Sequence, residues 1–257
     1  MASEGKKTPG NLRAIIASTV VVAAVTGLSV AAHVWGENRL VSEVRVEGNA
    51  LLSERAILKR SGITSGTGLF DVDLFAVRRR LLEDPFVKDA EVRRDAPGAV
   101  LVTVMERVPV AAIASVPMRL VDRDGWVMPL VLSGRVIDVP VISGHLGLTD
   151  VTPGKQAASP ALERGIEMAA VLQQMYSANG RISEIHLTEA KEIILLTAEG
   201  GIPVLAGHDR LEEKIRSFDA FWKQVVMRND SQHLRLIDVR YQGQVIAKWH
   251  QAGQAKG

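Results

Sequence analysis

A chain of 257 residues with 47% apolar residues can build one large core or two modest ones, and its lack of cysteine excludes disulfides, thiolate nucleophiles and cysteine-type zinc sites. Lys6, Lys7 and Arg13 against Glu4 account for the formal net charge of +2, because the rest of the chain carries 28 basic and 28 acidic side chains. That balance lacks the concentrated positive surface of a nucleic-acid binder, so no nucleic acid is expected as a partner.

Residues 14 to 35, AIIASTVVVAAVTGLSVAAHVW, form an uncharged run of 22 residues. About 20 apolar helical residues cross a hydrocarbon core of ~30 Å, so the run predicts a single transmembrane helix over 14–35. Lys6, Lys7 and Arg13 flank it on one side, with Trp35, Glu37 and Arg39 at the other. The positive-inside bias then keeps a cytoplasmic tail over 1–13 and exports the remainder, with Trp35 and His33 at the headgroup level. Cleavage as a secretory signal after Val30-Ala31-Ala32 is the rival reading. The apolar core of such a signal is usually about 7 to 15 residues, shorter than this run, which favours a retained anchor.

From Val41 the pattern alternates as in a strand, ending at Gly48-Asn49. Ser53 is placed to cap a helix reaching about Arg60, with Gly62 as its stop. Leu74, Val77, Leu81 and Leu82 predict a second helix that Pro85 ends, and strands follow over 87–94 and 100–107. The order is β-α-α-β-β. A strand-rich unit then starts near Pro109, with strands expected over 110–115, 119–122, 136–142, 182–188, 191–197 and 202–206. Helices are expected from Ser159-Pro160, with an apolar stripe through Leu162, Ile166, Ala169, Ala170, Leu172 and Met175, and from Asp209, whose spacing to Glu212 is that of a capping box. A closing hairpin pairs 234–241 with 244–249 through a tight turn at Gln242-Gly243, and 250–257 is a loose polar tail. The fold class is α+β, a mostly antiparallel β domain covered by two helices following the smaller unit.

The sequence carries no HExxH, GxSxG, Walker loop or paired CxxC, and its only SxxK, Ser3 to Lys6, lies in the short N-terminal tail. No metal and no cofactor are expected, since no two of the six histidines stand three to five residues apart. Asp122, Asp124, Asp138 and Glu184 are candidates for convergence, although solvated faces are the simpler reading for each. Arg78-Arg79-Arg80 faces anionic lipid, an acidic partner or solvent, and Glu83 and Asp84 favour solvent by diluting its charge. The terminal hairpin leaves an edge strand, with Tyr241 and Trp249 beside its backbone row. These rings either form a docking surface or belong to the core.

The order of elements carries several motifs: Val46-Glu47-Gly48-Asn49, Leu81 to Pro85 with Val87, Arg93-Arg94 with Pro97, and Glu106-Arg107-Val108-Pro109. Further on come Val121-Asp122 with Gly125, Pro140-Val141-Ile142 with Gly144, Gly200, Gly207, Lys214 and Ile237-Asp238-Val239-Arg240-Tyr241. Together they resemble the FtsQ/DivIB family of bacterial cell-division proteins. The resemblance implies a POTRA domain over 41–109 and an FtsQ-type β domain over 110–249, held in the inner membrane with the N-terminus cytoplasmic and the domains periplasmic, at the division septum. It implies a non-catalytic divisome scaffold. An FtsB-like partner would add a strand at the last sheet edge, an FtsL-like protein would join it, and the complex would signal to septal peptidoglycan synthesis. Tyr241 and Trp249 resemble the aromatic positions of that edge, Val245 and Ile246 lie on it, and Lys191 falls where the family places basic contacts. The POTRA domain and membrane helix would meet other division proteins of the FtsK, FtsW and FtsI type. A membrane-tethered cell-wall enzyme and a POTRA-type polypeptide transport module are the alternatives.

Overall fold

A computed structural model describes residues 10–37, 39–95, 97–130, 137–148, 150–175, 180–228 and 233–250. The chain divides into two compact units, Met1–Leu82 with Asp89–Met105, and Glu83–Lys88 with Glu106–Gly257.

The first unit opens with helix α1, Gly10–Glu37. Its side chains are described over 15–29, where every one is exposed. Among the described residues no helix is long and apolar enough to cross a membrane. Lys6 and Lys7 lie outside the described residues, as do the side chains of Arg13 and Trp35. Strand β1, Glu43–Glu47, buries Val44 and Val46 in part and exposes the charged residues between them, as alternation requires. Gly48 turns the chain at φ 82°, and a Cβ there would lie 2.1 Å from the Val104 carbonyl oxygen, so only glycine fits. Helix α2, Glu54–Ser61, starts where Ser53 Oγ accepts the Ala56 N–H at 3.2 Å and stops at left-handed Gly62. Helix α3, Leu74–Leu82, is capped by Asp73, whose carboxylate accepts the Ala76 N–H at 3.0 Å. Strands β2, Val87–Asp95, and β3, Ala99–Glu106, complete a sheet of order β1-β3-β2, with β1 and β3 parallel. Ile57, Val77 and Leu81 of the helices and Val100, Val102 and Val104 of β3 are buried in its core.

In the second unit β4 (Pro109–Ile113), β5 (Arg119–Asp122), β6 (Val127–Pro129), β7 (Val141–Gly144), β8 (Ile182–Leu187), β9 (Ile193–Thr197), β10 (Pro203–Gly207), β11 (Leu234–Asp238) and β12 (Ile246–Trp249) form one sheet. Its order is β12-β11-β10-β9-β8-β7-β4-β5-β6. Five joins are antiparallel and three, β4 to β7, β7 to β8 and β10 to β11, are parallel. Two parallel joins are bridged by helices: α4 (Pro160–Gln174) links β7 to β8, and α5 (Leu211–Gln224) links β10 to β11. Parallel neighbours need such crossovers. Gly165 lets α4 approach the sheet closely, since a Cβ there would stand 2.8 Å from Ile142 Cγ2. Phe218 and Trp222 of α5, with ring centroids 5.5 Å apart, fill the adjoining core.

Four sequence expectations change. The strand expected over 136–142 is β7 alone, preceded by irregular backbone at 137–140, and residue 136 lies outside the described residues. Lys191, placed in a strand by its sequence, adopts φ 66° in the turn before β9. The capping box from Asp209 does not form: Arg210 occupies the cap position at φ 46° without a side-chain cap, and the Asp209 carboxylate instead accepts from Lys214 Nζ at 2.6 Å. The terminal strands are shorter than 234–241 and 244–249, so Tyr241 falls in the connection between them. The short strand β6 was not expected, and residues 251–257 of the tail lie outside the described residues.

Candidate functional site

Among the described residues, strands β12 and β6 are the two margins of the nine-stranded sheet. Strand β12 pairs antiparallel with β11 alone, Asp238 opposite Ile246, Ile237 opposite Ala247, Leu236 opposite Lys248 and Leu234 opposite Trp249, with a register shift between Leu234 and Leu236. The His250 N–H donates to the His233 carbonyl at 2.7 Å. In an antiparallel strand backbone groups alternate in direction, so Lys248 and Ile246 also turn theirs toward β11 while Ala247 and Trp249 turn theirs outward. Those outward groups form a backbone row along the sheet margin.

Side chains alternate across the sheet along the same strand. Val245 and Ala247 are partly buried against the core, whereas Ile246 is 41% exposed and Lys248 is exposed. Trp249 is 39% and Tyr241 54% exposed. Three large apolar side chains thus stand in solvent on one hairpin. A lone exposed hydrophobe is ordinary, and a group of them on a marginal strand makes this hairpin the candidate site.

Tyr241 stands on a fixed base. Val239 is buried and its N–H donates to the Leu205 carbonyl at 3.0 Å, continuing the β10–β11 join past the end of β11. The Arg240 guanidinium grips Asp238 with two bonds, Nε to Oδ1 at 3.0 Å and Nη2 to Oδ2 at 2.8 Å, while the Arg240 N–H donates to the same Oδ1 at 3.0 Å. These bonds hold the Asp238 carboxyl below its ordinary range and raise the Arg240 guanidinium. Arg240 Nη1 also lies 3.8 Å from Glu192 Oε1, which brings the β8–β9 turn and Lys191 to the same end of the sheet as Tyr241. Of the residues expected at this site, Ile246 and Trp249 lie on the last strand, Val245 just precedes it and Tyr241 falls in the connection before it, while Lys191 lies in the turn before β9, three strands away in the sheet order. Sequence reasoning overlooked the Asp238–Arg240 clamp and the outward amide of Ala247. An acid and a base two residues apart at a strand end was the available signal for the clamp.

The carboxylates considered for catalysis are engaged separately. Asp122, 4% exposed, binds Arg107 Nη1 at 2.9 Å and accepts the N–H groups of Asp124 and Trp126 at 3.0 and 2.8 Å, while the Arg107 guanidinium lies 4.3 Å from the Trp126 ring centroid. Asp138 is exposed in a loop. Ser143 Oγ donates to Glu184 and lies 2.9 Å from His186 Nδ1. A hydroxyl whose proton is given to Glu184 can only accept from His186, so the histidine is a donor there and not a base for that serine. Among the described residues no group of three or more histidine, aspartate or glutamate side chains is arranged to hold a metal ion. Arg78 of the triple-arginine run donates to the Ala90 carbonyl at 2.7 Å and pairs with Asp89 at 2.6 Å.

A β-α-α-β-β module followed in the chain by a large mixed sheet covered by two helices defines a class of modular α+β protein. The FtsQ-type POTRA domain family matches residues 39–107, and the family described as FtsQ/DivIB, C-terminal related, matches residues 108–248. The chain belongs to the FtsQ/DivIB family of cell-division proteins. Among its relatives is the cell division protein FtsQ of Syntrophotalea carbinolica, 29% identical over 218 residues, which cover 84% of this chain and 76% of the relative. That of Rhodothermus marinus is 27% identical over 249 residues, covering 94% of this chain and 89% of the relative. The FtsQ of Anaeromyxobacter sp. is 31% identical over 187 residues, covering 70% and 62% respectively.

Proposed function

We propose that this protein is a non-catalytic divisome scaffold that offers β12 to an FtsB-like partner as the template for an added strand. An FtsL-like protein completes the complex, and the assembly connects division proteins of the FtsK, FtsW and FtsI type, met by the POTRA unit and membrane helix, to septal wall synthesis. The observation that carries this reading is the place of β12 at the margin of the sheet, paired with β11, with Tyr241, Ile246 and Trp249 exposed on the same hairpin. The added strand's main-chain bonds supply register and part of the affinity, while burial of the rings supplies specificity. Lys191 and Arg240 lend positive charge to the same end of the sheet.

Helix α1 anchors the scaffold in the inner membrane, with the tail before it cytoplasmic and both folded units periplasmic at the septum. The uncharged run 14–35 on it would cover the ~30 Å core at about 1.5 Å per residue, a span that extends beyond the described side chains at 15–29. Three of its hydroxyls are satisfied within the helix, Ser18 and Thr19 by the Ile15 carbonyl at 2.9 Å and Thr26 by the Val22 carbonyl at 2.8 Å, which suits a lipid surround. Lys6, Lys7 and Arg13 set its orientation by the positive-inside rule.

The test is Ala247→Pro. Proline there deletes one outward N–H and spares the inward bonds to β11, and the residue before it is already extended. The expected result is loss of the FtsB-like partner in copurification, with the thermal transition of the variant little changed. Undiminished binding would refute strand addition.

A further inference from the structure

Beyond α1, the exposed large apolar side chains of the first unit are Leu40 at 58%, Phe70 at 55%, Phe75 at 86% and Met105, at the end of β3, at 59%. Two of them are fixed beside the exit of α1. Leu40 forms an antiparallel bridge with Gly68, the Leu69 N–H donates to the Arg39 carbonyl at 2.7 Å, and the Val41 N–H donates to the Thr67 carbonyl at 2.8 Å. The last residue of α1 is Glu37, so Leu40 is tethered within about 11 Å of the helix end, and the Gly68 backbone paired with it within about 16 Å, whatever angle the helix takes. The loop is not a loose excursion. Leu69 and Val72 are buried on either side of Phe70, and Arg94 reaches from β2 to donate to the carbonyls of Leu69 at 2.9 Å, Phe70 at 3.2 Å and Val72 at 2.9 Å. The same guanidinium lies 5.4 Å from the Phe70 ring centroid. Phe75 follows on the first turn of α3, which Asp73 caps. A rigid loop that holds a phenylalanine outward between two buried neighbours is built to present it.

We infer that Leu40, Phe70 and Phe75 form an apolar foot that enters the headgroup–acyl boundary of the bilayer and seats the first unit on the membrane. This rests on the reading of α1 as the anchor. The tether selects the occupant, because any surface within that reach of a membrane helix's end meets lipid before anything else. Phenylalanine and leucine are the residues that such interfacial contacts bury. Asp71 and Asp73 stand exposed in the same loop, so attraction to anionic headgroups is not the driving force, and the contact is apolar.

The lack of cysteine makes the test direct. Single variants Phe70→Cys, Phe75→Cys, Ala50→Cys and Val21→Cys of the full chain are spin-labelled and reconstituted alone into vesicles of phosphatidylethanolamine and phosphatidylglycerol. Collision with oxygen is then compared with collision with a water-soluble nickel chelate. Ala50 lies in the turn at the far end of β1 and serves as the aqueous reference, while Val21 reports on α1. The expected oxygen-to-nickel ratio at 70 and 75 is severalfold above that at 50. Equal ratios at 50, 70 and 75 with a hydrocarbon signal at 21 would overturn the foot and leave the anchor standing. A water signal at 21 would overturn both. Low access of both reagents at 70 would mean burial against protein, and would overturn the lipid assignment.

Discussion

Arg240 holds together three things: the Asp238 carboxylate, the turn that carries Glu192, and the base of Tyr241. Asp238 is 6% exposed, so truncating Arg240 leaves a carboxylate deprived of its main charged partner. Complete burial would make that loss about 3–5 kcal/mol, but Arg240 retains 36% side-chain exposure and water replaces part of the interaction. Arg240→Ala is expected to cost roughly 1–2 kcal/mol in urea unfolding. The double variant Arg240→Ala with Asp238→Asn should recover part of it, because no charge is then stranded. The clamp also sets a pH dependence. The bonds from Arg240 hold Asp238 below its ordinary value of 3.8, so the folded state gains stability that is fully present above that pH and drains away as pH falls below it. Asp238→Asn should therefore flatten the acid limb of a stability-against-pH curve relative to the parent chain. A limb of unchanged slope would mean that the carboxylate is not held by the clamp. If Tyr241 needs this base, Arg240→Ala should also weaken partner binding, and chiefly by speeding dissociation.

At the scale of elements, the sequence was most informative wherever one residue type has one local solution. Ser53 and Ser159 mark helix starts and do cap them, each Oγ accepting an N–H three residues on, at 3.2 and 3.0 Å. Gly48 was read as a turn, and its backbone conformation and the nearby Val104 oxygen explain why. Gly48→Ala should destabilise the first unit by more than about 1 kcal/mol in thermal unfolding, since both the positive φ and the contact forbid a methyl group. A variant that melts with the parent would show that this turn is not held as described. The sequence was least informative where long-range pairing decides. Alternation around Ile237 and Ala247 announces a hairpin, but the parallel join of β10 to β11 ends the regular pairing at Asp238, and Tyr241 leaves the strand. Lys191 reads as a strand residue until its turn closes through the N–H bond to the Thr188 carbonyl at 3.0 Å. Strand β6 is only three residues long, too short for a period-two pattern to register. For the candidate site, the aromatic residues were visible by type, whereas the direction of the Ala247 amide follows from register and is invisible in composition.

In the proposed complex, anchoring and edge pairing would act on partner capture through different physics. The strand edge would set an intrinsic affinity through backbone bonds and buried rings. A membrane tether adds no contact to β12, but it confines scaffold and partner to one surface and so raises the effective concentration of each for the other. The two effects separate experimentally because every strand of the nine-stranded sheet and both covering helices lie after residue 108. Replacing 14–35 by an unrelated apolar helix of equal length should leave complex formation in cells intact, since only membrane residence is asked of it. Removing residues 1–38 should leave the dissociation constant for a soluble partner peptide unchanged while the complex recovered from cells falls sharply, and Ala247→Pro should abolish both. If the unrelated helix fails to restore assembly although the protein reaches the membrane, then residues on α1 itself contact a partner, and the helix is part of the recognition surface as well as its tether.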